Sequence, residues 1–123
     1  MDLSFWDLLN AYKCSEDHKR ARSFIKENKQ KFNEGYRQIH ELVNNKMFSP
    51  EVNVNGVTPF TKYVGADDGH DDLIDYIIWN GKETVDNFLA DPKSAVPLAK
   101  KMTKNPNFSG DINTLKRLSY LTE

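Results

Sequence analysis

The chain of 123 residues contains one cysteine, Cys14. That excludes an internal disulfide and a thiolate-rich zinc site, and a lone thiol in this setting reads as a small semi-buried residue rather than a nucleophile. No apolar run approaches the roughly 18 residues of a membrane span. The opening residues, MDLSFWDLLN, lack the basic start and small-residue cleavage site of a signal peptide. The expectation is a cytoplasmic protein with no membrane partner. There is no glycine-rich phosphate loop, no internal repeat and no low-complexity tract. No segment alternates apolar and polar residues over four or more positions, which leaves no candidate sheet. What is present is a polar but foldable composition, 38% hydrophobic and 28% charged. This length fits a single domain, residues 1–123. Such a domain buries roughly two thirds of the surface its unfolded chain exposes. Seven Phe, five Tyr and two Trp must therefore supply much of the core.

The formal net charge of -1 conceals a segregation by sign. Residues 1–49 hold 9 Lys and Arg against 7 Asp and Glu, residues 50–98 hold 3 against 9, and residues 99–123 hold 5 against 2. The negative centre is the most informative feature of the composition, because such asymmetry bears on partners rather than on fold.

Helical signals cover most of the chain. Ser4 with Asp7 forms a capping box, with Leu3 and Leu8 placed as a hydrophobic staple, so a helix starts at Phe5 and presents Phe5, Leu8, Leu9 and Tyr12 on one face. Ser15 is a second N-cap candidate, opening a stretch in which Ala21, Phe24, Ile25, Phe32, Tyr36, Ile39, Leu42, Val43 and Met47 recur at helical spacing. This fits one long helix or two with a break near Asn28. A connecting loop follows between Phe48 and Gly56. Thr58-Pro59 pairs an N-cap with a first-turn proline and predicts a short helix over Phe60 to Val64, stopped at Gly65. The next helix begins within Asp67 to Gly69 and ends at Asn80-Gly81. Lys82 to Ala90 is another, closed by Asp91-Pro92, and Ser94 can cap a segment through Met102. Asn105-Pro106 and Ser109-Gly110 mark a second loop, after which Asp111 caps a last helix carrying Ile112, Leu115, Leu118 and Leu121. The expected fold is all-α, five to seven helices in one domain.

Asp67, Asp68, Asp71, Asp72 and Asp75 place five carboxylates in nine residues, spanning an arc of about 140° on a helix whose Leu73, Ile74 and Ile77 point away. Acidic residues early in a helix suit the positive end of its dipole and can cap free N–H groups, which accounts for part of the cluster. The functional expectation is that this face, with Trp79 or an exposed Tyr as an anchor, binds a protein with a basic surface. A competing expectation is a metal-dependent phosphohydrolase. His70-Asp71, with His40 upstream and Asp86, Asp91 or Asp111 downstream, resembles the order of the metal phosphohydrolases named for their His-Asp doublet. Imidazole and carboxylate would there hold a divalent ion that activates water. A calcium loop counted from Asp67 fails, since Ile78 stands where the twelfth-position Glu belongs. Lys19, Arg20, Arg22, Lys26, Lys29 and Lys31 against Glu27 raise nucleic acid as a ligand. They scatter around a helix in a chain of pI about 6.3, with no interleaved aromatic platform, so nucleic acid is not the expected partner.

The segment GADDGHDDLIDYIIWNGKETVDNFLADPKSA, Gly65 to Ala95, resembles the central motif of the bacterial family known as domain of unknown function 4240, whose members often begin with a Phe-Trp helix, here Phe5-Trp6. The resemblance covers the first helix and about a quarter of the chain around Asp67 to Ala95. It implies a small helical domain with Asp67 and Asp68 at a helix start, Trp79 packed in, and Gly81 as the turn between helices. It brings no activity. At the position of His70 the family more usually carries an aromatic residue, which counts against a metal ligand there. The loop from Met47 to Val64 lacks the tryptophan-containing helix expected before the motif, and the tail after Leu98 does not match, so partner specificity is expected in those divergent parts. The overall expectation is a non-enzymatic binding domain without cofactors, such as an immunity-type inhibitor of a toxin, with a structural or adaptor domain as a further alternative beside the phosphohydrolase.

Overall fold

The computed structural model describes residues 4–65, 67–105 and 108–120, without the side chains of residues 67, 68, 108, 109, 119 and 120. Among these the chain is all-helical and forms one compact domain: α1 (Phe5–Cys14), α2 (His18–Glu27), α3 (Lys29–Met47), α4 (Thr61–Val64), α5 (Asp67–Trp79), α6 (Lys82–Ala90), α7 (Val96–Lys104) and α8 (Phe108–Tyr120), with a 3-10 turn at Pro92–Ala95 leading into α7. The eight helices exceed the expected five to seven. The excess arises partly at Asn28, which divides the long periodic stretch. Its backbone leaves the helical range, with φ -112° and ψ 27°, while its N–H and its Nδ2 both turn back to the α2 carbonyls.

Local chemistry explains most boundaries. The Ser4 hydroxyl accepts the Asp7 N–H at 3.2 Å while the Asp7 carboxylate accepts the Ser4 N–H at 3.0 Å, so two of the otherwise unpaired donors of α1 are satisfied reciprocally. Leu3, the other half of the expected staple, lies outside the described residues. Three expected caps are displaced. Asp17, not Ser15, caps α2 by accepting the Arg20 N–H at 3.1 Å, and Ser15 instead closes the turn before it. Asp91 takes the role expected of Ser94, accepting the Lys93 N–H, because the chain is already wound into the 3-10 turn at Pro92. The last helix is formed by Phe108, so Asp111 sits in its first turn and complements the dipole rather than capping it. Leu121 lies outside the described residues.

Helix α5 is the centre of the packing, touching α3, α4, α6, α7 and α8. Its Leu73, Ile74, Ile77 and Ile78 are fully buried. Phe5 of α1 meets Phe32 of α3 with ring centroids 4.9 Å apart, and Phe60 meets Phe88 at 6.3 Å. Gly35 makes the first of these contacts possible. A Cβ at that position would stand 2.5 Å from the Cβ of Phe5, so any larger residue would push α1 away from α3. Gly69 plays the same part at the start of α5, where a Cβ would overlap the Val64 carbonyl oxygen.

Candidate partner-binding surface

The acidic run separates into parts with different surroundings. Helix geometry turns Asp71 to solvent and leaves the Asp72 side chain 40% exposed. Asp75 is buried, 2% exposed, which corrects its expected place on the solvent face. Its Oδ1 accepts a hydrogen bond from the Tyr36 hydroxyl at 2.6 Å, and its Oδ2 lies 3.6 Å from the Lys116 ammonium. The same ammonium is 3.7 Å from Asp72 Oδ1. Asp75 thus joins α3 and α8 to α5, and a hydrogen bond to a charged acceptor is worth about 1.5 to 3 kcal/mol. Burial pushes the Asp75 carboxyl above its ordinary range, while Tyr36, Lys116 and His40 pull the other way. The side chains of Asp67 and Asp68 lie outside the described residues.

Trp79 is half-buried and already engaged. The Lys13 ammonium donates to its backbone carbonyl at 2.6 Å and stands 4.9 Å from the centroid of its ring. Burial lowers the Lys13 pKa and nearby Asp111 partly offsets this. The ring therefore serves the α1–α5 contact, with part of its surface still exposed.

The residues of the phosphohydrolase reading do not converge. His70 is 4% exposed, with Nε2 2.7 Å from the Thr58 hydroxyl and its ring 5.8 Å from that of Phe48. The Thr58 hydroxyl also accepts the Phe60 N–H at 3.1 Å, so His70 fastens α5 to the start of α4. His40 packs against the Tyr36 ring at 5.6 Å, and Asp71 faces solvent. Among the described residues no three His, Cys, Asp or Glu side chains are grouped so as to hold a metal ion. A surface cleft of about 300 Å³ between α6 and α7, lined by Thr84, Asn87, Ser94, Leu98 and Lys101 among others, has no carboxylate, imidazole or thiol in its wall.

No family model matches the chain, and no similar curated protein or solved structure was found. The site is therefore read from its own chemistry.

On α5 and α6 the exposed acidic residues are Asp71 on the first and Glu83 and Asp86, three residues apart, on the second. None of the three has a cation within 4 Å among the described residues. The glutamate and the second aspartate lie beyond the run that the sequence singles out. Their signal was the amphipathic pattern of α6, whose Val85 and Phe88 are buried. Tyr36 and Lys116 left no such signal, because they reach Asp75 from 39 and 41 positions away.

Proposed function

We propose that this chain is a non-enzymatic protein-binding domain that engages a partner with a basic surface through Asp71, Asp72, Glu83 and Asp86. An immunity-type inhibitor, covering the active site of a toxin, is the form of this reading that a small domain with a negative face fits. The observation that carries it is a contrast among the acidic residues of α5 and α6. Asp75 is satisfied inside the fold, whereas Asp71, Glu83 and Asp86 stand in solvent with no cation within 4 Å among the described residues. Clustered like charge repels itself and is relieved by complementary Lys and Arg on another surface, which also accelerates encounter. Membership of the family that Gly65 to Ala95 resembles is proposed with it, on the motif residues alone.

The test is capture of partners from native lysate at low and high salt, followed by association kinetics of the retained protein with Asp71→Lys/Asp86→Lys. The expected result is a basic partner released by salt, whose association rate falls about tenfold or more with the double variant while its salt dependence flattens. An association rate unaffected by the two reversals would overturn the assignment of this surface.

A further inference from the structure

The chain holds two Asn-Gly pairs, Asn55-Gly56 and Asn80-Gly81, and the fold treats them differently. Asn55 and Gly56 are the central residues of a tight turn in which the Val54 N–H donates to the Val57 carbonyl at 2.9 Å and the Val57 N–H donates back at 3.0 Å. Both have positive φ, 56° and 80°, as a type I′ turn requires. Val54 and Val57 are 59% and 57% exposed, and the two turn residues are exposed as well. The Gly56 N–H and the Asn55 side chain have no partner among the described residues, and a Cβ at Gly56 would meet nothing within 4 Å. A two-residue hairpin held by one bridge is marginal by itself, so this tip opens at small cost.

Asn80-Gly81 is tied down at both reacting atoms. Asn80 Nδ2 donates to the Tyr76 carbonyl at 2.7 Å, and the Gly81 N–H donates to the Ile78 carbonyl at 3.0 Å. The Asn80 carbonyl also accepts from the Thr84 hydroxyl at 3.3 Å. These bonds close the C-terminal turn of α5, which is the centre of the packing, so freeing them requires disturbing the core.

An asparagine followed by glycine is the pair in which the next backbone nitrogen most easily reaches the side-chain carbonyl carbon, since glycine has no Cβ in the way and accepts the backbone angles of the approach. We propose that Asn55 is a site of spontaneous deamidation and isoaspartate formation in the folded protein, and that the fold protects Asn80. The Gly56 nitrogen forms a bond to Asn55 Cγ, the Cγ–Nδ2 bond breaks, and Nδ2 leaves as ammonia with the proton that the Gly56 nitrogen gives up. Solvent water then opens the five-membered imide. Cleavage on the Cγ side leaves aspartate at position 55, and cleavage on the main-chain carbonyl side leaves isoaspartate. Either product puts a carboxylate between two exposed valines. Isoaspartate also lengthens the main chain by one carbon, which destroys the two-residue register and with it the Val54–Val57 bridge. An apolar tip is converted to an anionic one, and the isoaspartyl form becomes a substrate for methyltransferases that esterify that carboxyl group.

The experiment is to hold the full chain in warm, mildly alkaline buffer and follow both positions by peptide mapping. Isoaspartate is counted by methyl transfer from labelled S-adenosylmethionine with an isoaspartyl methyltransferase. In native protein, position 55 is expected to convert about tenfold faster than Asn80 or more, and in denaturant the two rates should converge because both sequences are Asn-Gly. Asn55→Gln should remove the methyl label from the peptide that carries position 55 in native protein. Equal native rates at the two positions would overturn the proposal, as would a native Asn55 that keeps its amide while the denatured chain converts.

Discussion

Removing the hydroxyl of Tyr36 tests the reading of Asp75 as a carboxylate held by the fold. Tyr36→Phe keeps the ring, which lies 6.4 Å from that of Phe5, and deletes the 2.6 Å hydrogen bond to Asp75. With Asp75 ionised, the loss is that of a bond to a charged, buried acceptor, about 1.5 to 3 kcal/mol, or roughly 5 to 15 °C in Tm for a domain of this size. The penalty should depend on pH. Because burial raises the folded carboxyl above its ordinary value, its contribution to stability is fully present below that ordinary value and is lost as pH rises through the raised one. Tyr36 opposes the raising, so the phenylalanine variant should carry the decline to higher pH. Below the ordinary carboxyl range the aspartate is protonated in both states, and the cost should shrink to that of a neutral bond, about 0.5 to 1.5 kcal/mol. Urea unfolding of both proteins from acid to neutral pH measures the difference directly. A penalty flat across pH, or below about 0.5 kcal/mol at neutrality, would refute the argument.

Two further substitutions address the packing. Gly35→Ala gains helix propensity of about 1 kcal/mol but forces the new methyl against Phe5, an overpacking cost of about 1 to 3 kcal/mol, so urea unfolding should show a net loss or at best no gain. A clear stabilisation would mean that α1 does not approach α3 as closely as described. His70→Phe should preserve the contact with Phe48 and lose the bond to Thr58, costing about 1 to 2 kcal/mol by thermal unfolding while leaving partner association unchanged. Loss of association in this buried variant would move the functional site to the α4–α5 junction.

The sequence was legible where structure is made by neighbours. Phe5, Leu8, Leu9 and Tyr12 lie on the buried face that their spacing predicts, and Ser4 with Asp7 forms the expected reciprocal cap, because both depend on residues within one turn. Asn28 breaks the long stretch, which decides for two helices where the spacing left one or two open. The misplaced caps show the limit of that logic. Around Ser15 and Asp17, or Asp91 and Ser94, two competent oxygens compete, and the path of the chain into the next packed helix selects one. Asp75 shows a deeper limit. Sequence pattern puts it among its acidic neighbours, whereas α3 and α8 arrive from elsewhere in the chain and enclose it. The need for Gly35 was equally invisible, since only the approach of Phe5 leaves no space for a side chain.

The position of Lys13 over Trp79 gives the molecule an optical reporter of its own assembly. The cation stands against the indole only while α1 is seated on the end of α5. Trp6, the other tryptophan, lies on α1 itself. In Trp6→Phe, emission would arise from Trp79 alone, and its change on warming would record the lifting of α1. Set beside the far-ultraviolet signal of the whole helical domain, that single wavelength distinguishes a first helix that peels away early from one that stays until everything melts.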